Sequence, residues 1–169
     1  MSPGSAQTQD ATPPDPMLNQ TRRTLPARKV MPEPKTSIRQ SLVIFAKNKR
    51  RVSDFCRRTL GLAAIEEEST HDLLRGRGIR LVIHAVPRKY STQINITKPP
   101  QVREDTPLKP AFFVRSLDAV RLAAESAGGS LQPMDMAWQY NGATVLDGCD
   151  PEGNVVRFTQ HDAKSRARL

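Results

Sequence analysis

Apolar and polar positions alternate in two rhythms that repeat along the chain. The run SLVIFA, Ser41 to Ala46, has the length and composition of a strand. At Asn48 the rhythm changes: Val52, Phe55, Cys56 and Leu60 fall on one helical stripe, with Asn48 placed to cap it and Gly61 at the position where helices usually stop. Ala63 to Glu67 predicts a short strand leading into Glu66-Glu67-Glu68. His71 to Leu74 predicts a second, and Ile79 to Val86 a third and longer one, closed by Pro87. Residues 88 to 109 are proline-rich and lack an apolar period, which predicts a linker or an ordered crossing loop. The order then begins again. Ala111 to Val114 reads as a strand, and Leu117, Val120, Ala124 and Ala127 mark a helix between Ser116 as cap and Gly128-Gly129 as stop. Leu131 starts a weak strand, interrupted by a loop from Pro133 to Asn141. Gly142 to Gln160 supplies a hairpin, two apolar runs joined by the turn Asp150-Pro151-Glu152-Gly153. On its return run Val155, Arg157 and Thr159 point one way and Val156 and Phe158 the other, so a cation sits mid-strand.

The halves match at an offset of roughly 70 residues: Ile44-Phe45 with Phe112-Phe113, Gly61 with Gly128, Leu73-Leu74 with Val145-Leu146, Leu81-Val82 with Val155-Val156. This is an internal duplication of a βαβββ unit and predicts an α+β fold. One helix covers one face of each unit's sheet, so pairing two units implies a cleft between curved sheets.

Composition adds the tails. Half of the 14 prolines lie before residue 35, and residues 1 to 37 carry no apolar period, so they are expected to be disordered; residues 161 to 169 read as a basic C-terminal tail. The formal net charge is +9 and the pI about 10.2, which suits anionic partners without choosing among nucleic acid, acidic lipid and small carboxylates or phosphates. Cys56 and Cys149 form no C-x-x-C pattern and read as small buried apolar residues. Without an apolar run of membrane length or a secretory h-region, the expectation is a soluble cytoplasmic protein.

Four stretches carry a family resemblance: DFCRRTLGL (Asp54 to Leu62), RLVIHAVP (Arg80 to Pro87), FFVRSLDAVRLAAESAGG (Phe112 to Gly129) and DPEGNVVRFTQ (Asp150 to Gln160). In that order they resemble the glyoxalase, bleomycin-resistance and extradiol-dioxygenase superfamily, the vicinal oxygen chelate proteins. The resemblance covers residues 38 to 160. It implies an eight-stranded, half-open barrel of two βαβββ modules, about 38–87 and 110–160, with a linker over 88–109. It also implies a divalent metal held by His, Gln or Glu near the start of each module's first strand and late in its last. This chain departs from that pattern. Ser41 or a neighbour stands at the first position, Lys109 to Ala111 at its second-module counterpart, Arg157 where the family often has Glu, and Val82 to His84 in the matching region of the first module. The expectation is therefore no cofactor, with a divalent metal kept for the alternative reading.

The candidate ligand-binding residues are Arg157, His84, Trp138, Tyr140 and Ser41. Arg157 can clamp a carboxylate or phosphate through its guanidinium fork, or pair with a local acid such as Asp147. His84 shares a strand face with Arg80 and Val82 and is a candidate general base, a lone metal ligand or a structural histidine. Trp138 and Tyr140 form an aromatic lid or pack within their loop. His71 reads as a surface or strand-end residue, and Glu66 to Glu68 as a solvated edge. The leading reading is a glyoxalase-like homodimer that binds a small anionic or aromatic molecule between its modules. A metal-dependent lyase, isomerase or dioxygenase of the same superfamily is the alternative, and a nucleic-acid-associated basic protein the third; no basic motif with interleaved aromatics supports the third.

Overall fold

The computed structural model describes residues 40–161. The expected disorder of residues 1 to 37 lies outside the described residues, as does the C-terminal tail beyond His161.

The first module runs β1 (Gln40–Ala46), α1 (Lys49–Leu60), β2 (Ala63–Glu67), β3 (His71–Gly76) and β4 (Ile79–Ala85). Its four strands form sheet 1 in the order β1-β4-β3-β2, with β1 and β4 parallel and the other pairs antiparallel. The linker contains one short helix, α2 (Arg88–Ser91). The second module follows with β5 (Ala111–Val114), α3 (Leu117–Ser126), β6 (Ser130–Leu131), β7 (Trp138–Tyr140), β8 (Ala143–Cys149) and β9 (Val155–His161). Sheet 2 has the order β5-β9-β8-β6, again with the parallel pair at β5 and β9. Two details differ from the sequence expectation. The stretch from Pro133 to Asn141 is not all loop: after a 3-10 turn at Met134–Met136 the chain returns as β7, pairing along β8 beyond β6. One interrupted strand thus lies along that edge, and the βαβββ plan holds. His161, assigned to the tail, ends β9 and stacks on Phe113 with ring centroids 5.0 Å apart.

Both helices form as their stripes dictate. Asn48 Oδ1 accepts from the Arg51 amide at 3.1 Å, and Gly61 takes the left-handed conformation (φ 65°) that closes α1. Ser116 Oγ accepts from the Ala119 amide at 3.2 Å, and α3 ends through Gly128 and Gly129. Val52, Phe55 and Cys56 from α1 join Leu117, Val120 and Ala124 from α3, together with Leu74, Leu81, Ile83, Leu146, Val156 and Phe158 from the sheets, in one buried core. The helix-bearing sides of both modules therefore share their apolar interior. Val43, Phe45 and Phe113, on the opposite sides, are exposed.

The hairpin turn also ties the modules together. Asp150 Oδ1 accepts from the Glu152 and Asn154 amides, and Gly153 adopts φ 82°. This projects Glu152, which is buried, onto the start of α1, where its carboxylate accepts from the Lys47 amide at 2.9 Å and the Asn48 amide at 2.5 Å. The Arg103 amide donates to Gly153 O at 2.9 Å, which pins the linker to the same turn.

Candidate functional site

Strand register decides which residues correspond between modules. Ile44 pairs with Ile83 across the parallel strands of sheet 1, and Phe112 with Phe158 in sheet 2. Since Ile44 and Phe112 precede their helix caps by the same spacing, Ile83 matches Phe158, and Val82 is the counterpart of Arg157. Three alignments are corrected accordingly: Leu81-Val82 corresponds to Val156-Arg157 rather than to Val155-Val156, His84 matches Thr159, and, because Leu73 lies across from Val82 as Asp147 does from Arg157, Leu73-Leu74 corresponds to Asp147-Gly148 rather than to Val145-Leu146. The same spacing makes Lys109 the counterpart of Ser41.

On the helix-free face of sheet 2, Arg157 lies directly across from Asp147. Its fork is engaged there, Nε to Oδ1 at 2.8 Å and Nη2 to Oδ2 at 3.2 Å. Lys109 Nζ reaches the same Oδ2 at 2.8 Å. The Trp138 ring covers the guanidinium, its centroid 4.6 Å from Cζ, in cation–π geometry. Burial pushes the Asp147 carboxyl up, but the hydrogen bonds and charges of Arg157 and Lys109 outweigh it and hold the group below the usual carboxylate range. The hydrogen bond to Asp147 raises Arg157 in turn. Two cations on one carboxylate leave the cluster with one net positive charge. Beside it, under the linker, a cavity of about 490 Å3 is lined by Val102, Glu104, Thr106, Lys109, Asp147 and Val155.

His84 stands apart from this cluster. On the helix-free face of sheet 1 it is stacked between Phe45 (5.6 Å) and His71 (5.4 Å). His71 is oriented by Thr70 and by Glu66 at 3.5 Å, so the strand-end histidine belongs to a ring stack. Ser41 lies on β1, and Tyr140 on β7 is exposed. Among the described residues no hydrogen bond, ion pair or ring contact joins His84 or Ser41 to the Arg157 cluster. Trp138 and Arg157 are thus together, while the other candidates are elsewhere. Sequence reasoning placed Lys109 in the Lys109 to Ala111 window that matches Ser41 but not among the candidate ligand-binding residues, because it follows a proline-rich linker with no local pattern to single out one residue. Cys56 is no nucleophile: burial, with help from Asp150, pushes its thiol up to about 12.

No family model and no curated protein sequence matches the chain. Solved structures do. A glyoxalase/bleomycin resistance protein/dioxygenase family enzyme from Burkholderia phytofirmans PsJN is 19% identical, with a TM-score of 0.52 over 71% of this chain and 95% of that one. The fosfomycin resistance protein FosX from Listeria monocytogenes, complexed with Mn(II) and a sulfate ion, is 13% identical, with a TM-score of 0.55 over 79% of this chain and 97% of that one. The chain has the glyoxalase-like fold. An integron cassette protein from the mobile metagenome of V. cholerae shares it too, at 16% identity and a TM-score of 0.52 over 76% and 98% of the two chains.

The glyoxalase-like fold allows a direct test of the metal that the resemblance implies. The matching positions here hold Ser41, Val82, Lys109 and Arg157, two of them fixed cations already sharing a carboxylate. Among the described residues no group of three or more His, Cys, Asp or Glu side chains is gathered to hold an ion. These residues do not fit a divalent metal, which two cations within hydrogen-bond reach of the same carboxylate would repel. Among the described residues no helix is long and apolar enough to cross a membrane.

Proposed function

We propose that this glyoxalase-like protein binds a small anionic or aromatic organic molecule against sheet 2, using charge fixed to the protein where metal-dependent members of the fold use an ion. The observation that carries the reading is the convergence of Lys109 and Arg157 on Asp147 beneath Trp138, beside a cavity of about 490 Å3. Arg157 spends Nε and one Nη on Asp147, so its remaining Nη, the partly exposed Lys109 ammonium and the Trp138 ring are the groups open to a ligand. Over Arg157 on the sheet face an oxyanion meets the net positive cluster and an aromatic ring the indole, whereas the adjoining cavity is lined by Lys109 with the Glu104 and Asp147 carboxylates. The Listeria FosX structure, complexed with Mn(II) and sulfate ion, is a protein of this fold that takes an oxyanion. We further propose a homodimer in which the exposed Phe45 side of sheet 1 closes over the Phe113 side of sheet 2 in a second copy, completing the half-open barrel.

The test is a thermal-shift panel of small carboxylates, phosphates and aromatic acids on untagged protein, with metal content measured on the same sample. Stabilisation that disappears in Arg157→Ala, in protein with sub-stoichiometric metal, is the expected result. One equivalent of a transition metal, lost in His84→Ala, would establish the metal-dependent enzyme in its place. A monomer mass by light scattering at micromolar concentration would eliminate the dimer.

A further inference from the structure

The helix-free face of sheet 2 continues past the Arg157 cluster, and strand register fixes what stands on it. Ala111, Arg157 and Asp147 lie side by side on β5, β9 and β8. Two residues further along β9 the neighbours on the same face are Phe113, Thr159, Val145 and Trp138, one from each of β5, β9, β8 and β7. Two further again come His161, Ala143 and Tyr140. The first row is ionic, while the next two hold no Asp, Glu, Lys or Arg. The surface they expose belongs to the rings. Val145 and Ala143 are 4% and 2% exposed, against 73% for Phe113, 65% for Tyr140 and 37% for Trp138. Phe113, with His161 stacked on it, stands on the β5 side, and Trp138 and Tyr140 stand on the β7 side.

The ionic and aromatic parts adjoin with nothing charged between them, because Trp138 belongs to the second row and leans back over Arg157 in the first. A bare oxyanion held by Arg157 touches at most that one ring and leaves Phe113 and Tyr140 in water. Exposed rings beside a net positive cluster suit a molecule that has both characters. We propose, on the basis of the function proposed above, that the ligand is an amphipathic aryl acid, with its carboxylate or phosphate head at Arg157 and a flat two-ring body lying along β9 towards Tyr140. The span sets the size. Four residues separate Arg157 from His161, ~13 Å at the usual strand rise, so a head and two rings in line reach the third row and a single ring stops at Trp138. Trp138 and Tyr140 occupy alternate positions of one strand, about 6–7 Å apart, so each meets a different ring of the same molecule.

The full chain is titrated with benzoate and biphenyl-4-carboxylate, and with phenyl phosphate and biphenyl-4-yl phosphate, while backbone amide shifts of β7, β8 and β9 are followed. Within each pair the second ring should tighten binding about tenfold or more. Tyr140→Ala and Phe113→Ala should each lower that preference several-fold, a change of ratio that a general loss of structure does not give. Arg157→Ala should weaken both members of a pair by about tenfold or more and leave the preference in place. Equal affinity within both pairs, still dependent on Arg157, would overturn the aryl-acid assignment and leave the function proposed above standing. Absence of Arg157-dependent binding by all four probes would overturn both. A preference unchanged in both ring variants also overturns the assignment, and loss of the homodimer in Phe113→Ala by light scattering would then give the exposed rings to a second copy.

Discussion

Replacing Asp147 by Asn removes the charge at the centre of the cluster while keeping its shape and one acceptor oxygen. Asp147 receives three hydrogen bonds from two cations, at 2.8, 3.2 and 2.8 Å. Its side chain is 12% exposed, those of Arg157 and Lys109 35% and 37%. A hydrogen bond to a charged group contributes about 1.5–3 kcal/mol when buried, and an exposed ion pair about 0.2–1 kcal/mol. With a buried acid and cations more than a third exposed, screening sets the charge contribution of the whole cluster at about 1–2 kcal/mol. The pH dependence follows from the direction of the shift. Asp147 is held below its unfolded value, so its contribution is fully present above the unfolded carboxylate pKa of about 3.9 and disappears as pH falls through the lower folded value. Below both values wild-type Asp147 is protonated and nearly isosteric with Asn. In urea denaturation across a pH series, Asp147→Asn should therefore be less stable by about 1–2 kcal/mol at pH 7, and the gap should close towards pH 3. A gap that stays constant down to pH 3, or no gap at pH 7, would refute the assignment.

Two further outcomes test how the fold presents the cluster. Glu152→Ala leaves the Lys47 and Asn48 amides without their buried acceptor and should destabilise the protein by about 2–3 kcal/mol in the same assay; an unchanged midpoint would mean that the contact between modules contributes nothing. Gly153→Ala asks an L-residue to hold φ 82° with a Cβ only 2.0 Å from Gln101 O, so the linker must lift from the turn. Proteolysis within 88–109 should accelerate several-fold, and an unaltered cleavage rate would show that the linker is held elsewhere.

Much of the fold was legible because its signals are local. Asn48, Gly61 and Ser116 mark helix ends by chemistry that acts within a few residues, and Asp150-Pro151-Glu152-Gly153 marks the turn by the conformations those residues favour. The misaligned repeat shows where such signals stop. Val155 and Val156 are both buried, Val156 by the core and Val155 at the cavity under the linker, so the doublet had no polar member to fix which face was inward. β7 was hidden because it is three residues long and all three are exposed, too short for the alternation of Trp138, Gln139 and Tyr140 to stand out from the loop around it. At the site, the sequence singled out Arg157 as a mid-strand cation and offered Asp147 as one partner, which is the partner it has. The sequence put Lys109 in a three-residue window, and only its ion pair with Asp147, 38 residues away, shows that it belongs to the cluster. His84 looked like part of the same site because it lies in the matching region, yet register makes Val82 the counterpart of Arg157 and places His84 two residues along, among aromatic rings.

In the function proposed above, a fixed cation cluster under Trp138 receives an anionic or aromatic ligand. Trp138 is the chain's one tryptophan and lies on Arg157, so its fluorescence reports on this cluster alone. Titrating the full chain with the small aromatic carboxylates and phosphates that stabilise it thermally should change that emission saturably. Arg157→Ala should weaken the response by one to two powers of ten, at about 1.4 kcal/mol per tenfold. Emission that does not respond to any stabilising ligand, or that responds with the same affinity in Arg157→Ala, would contradict the account.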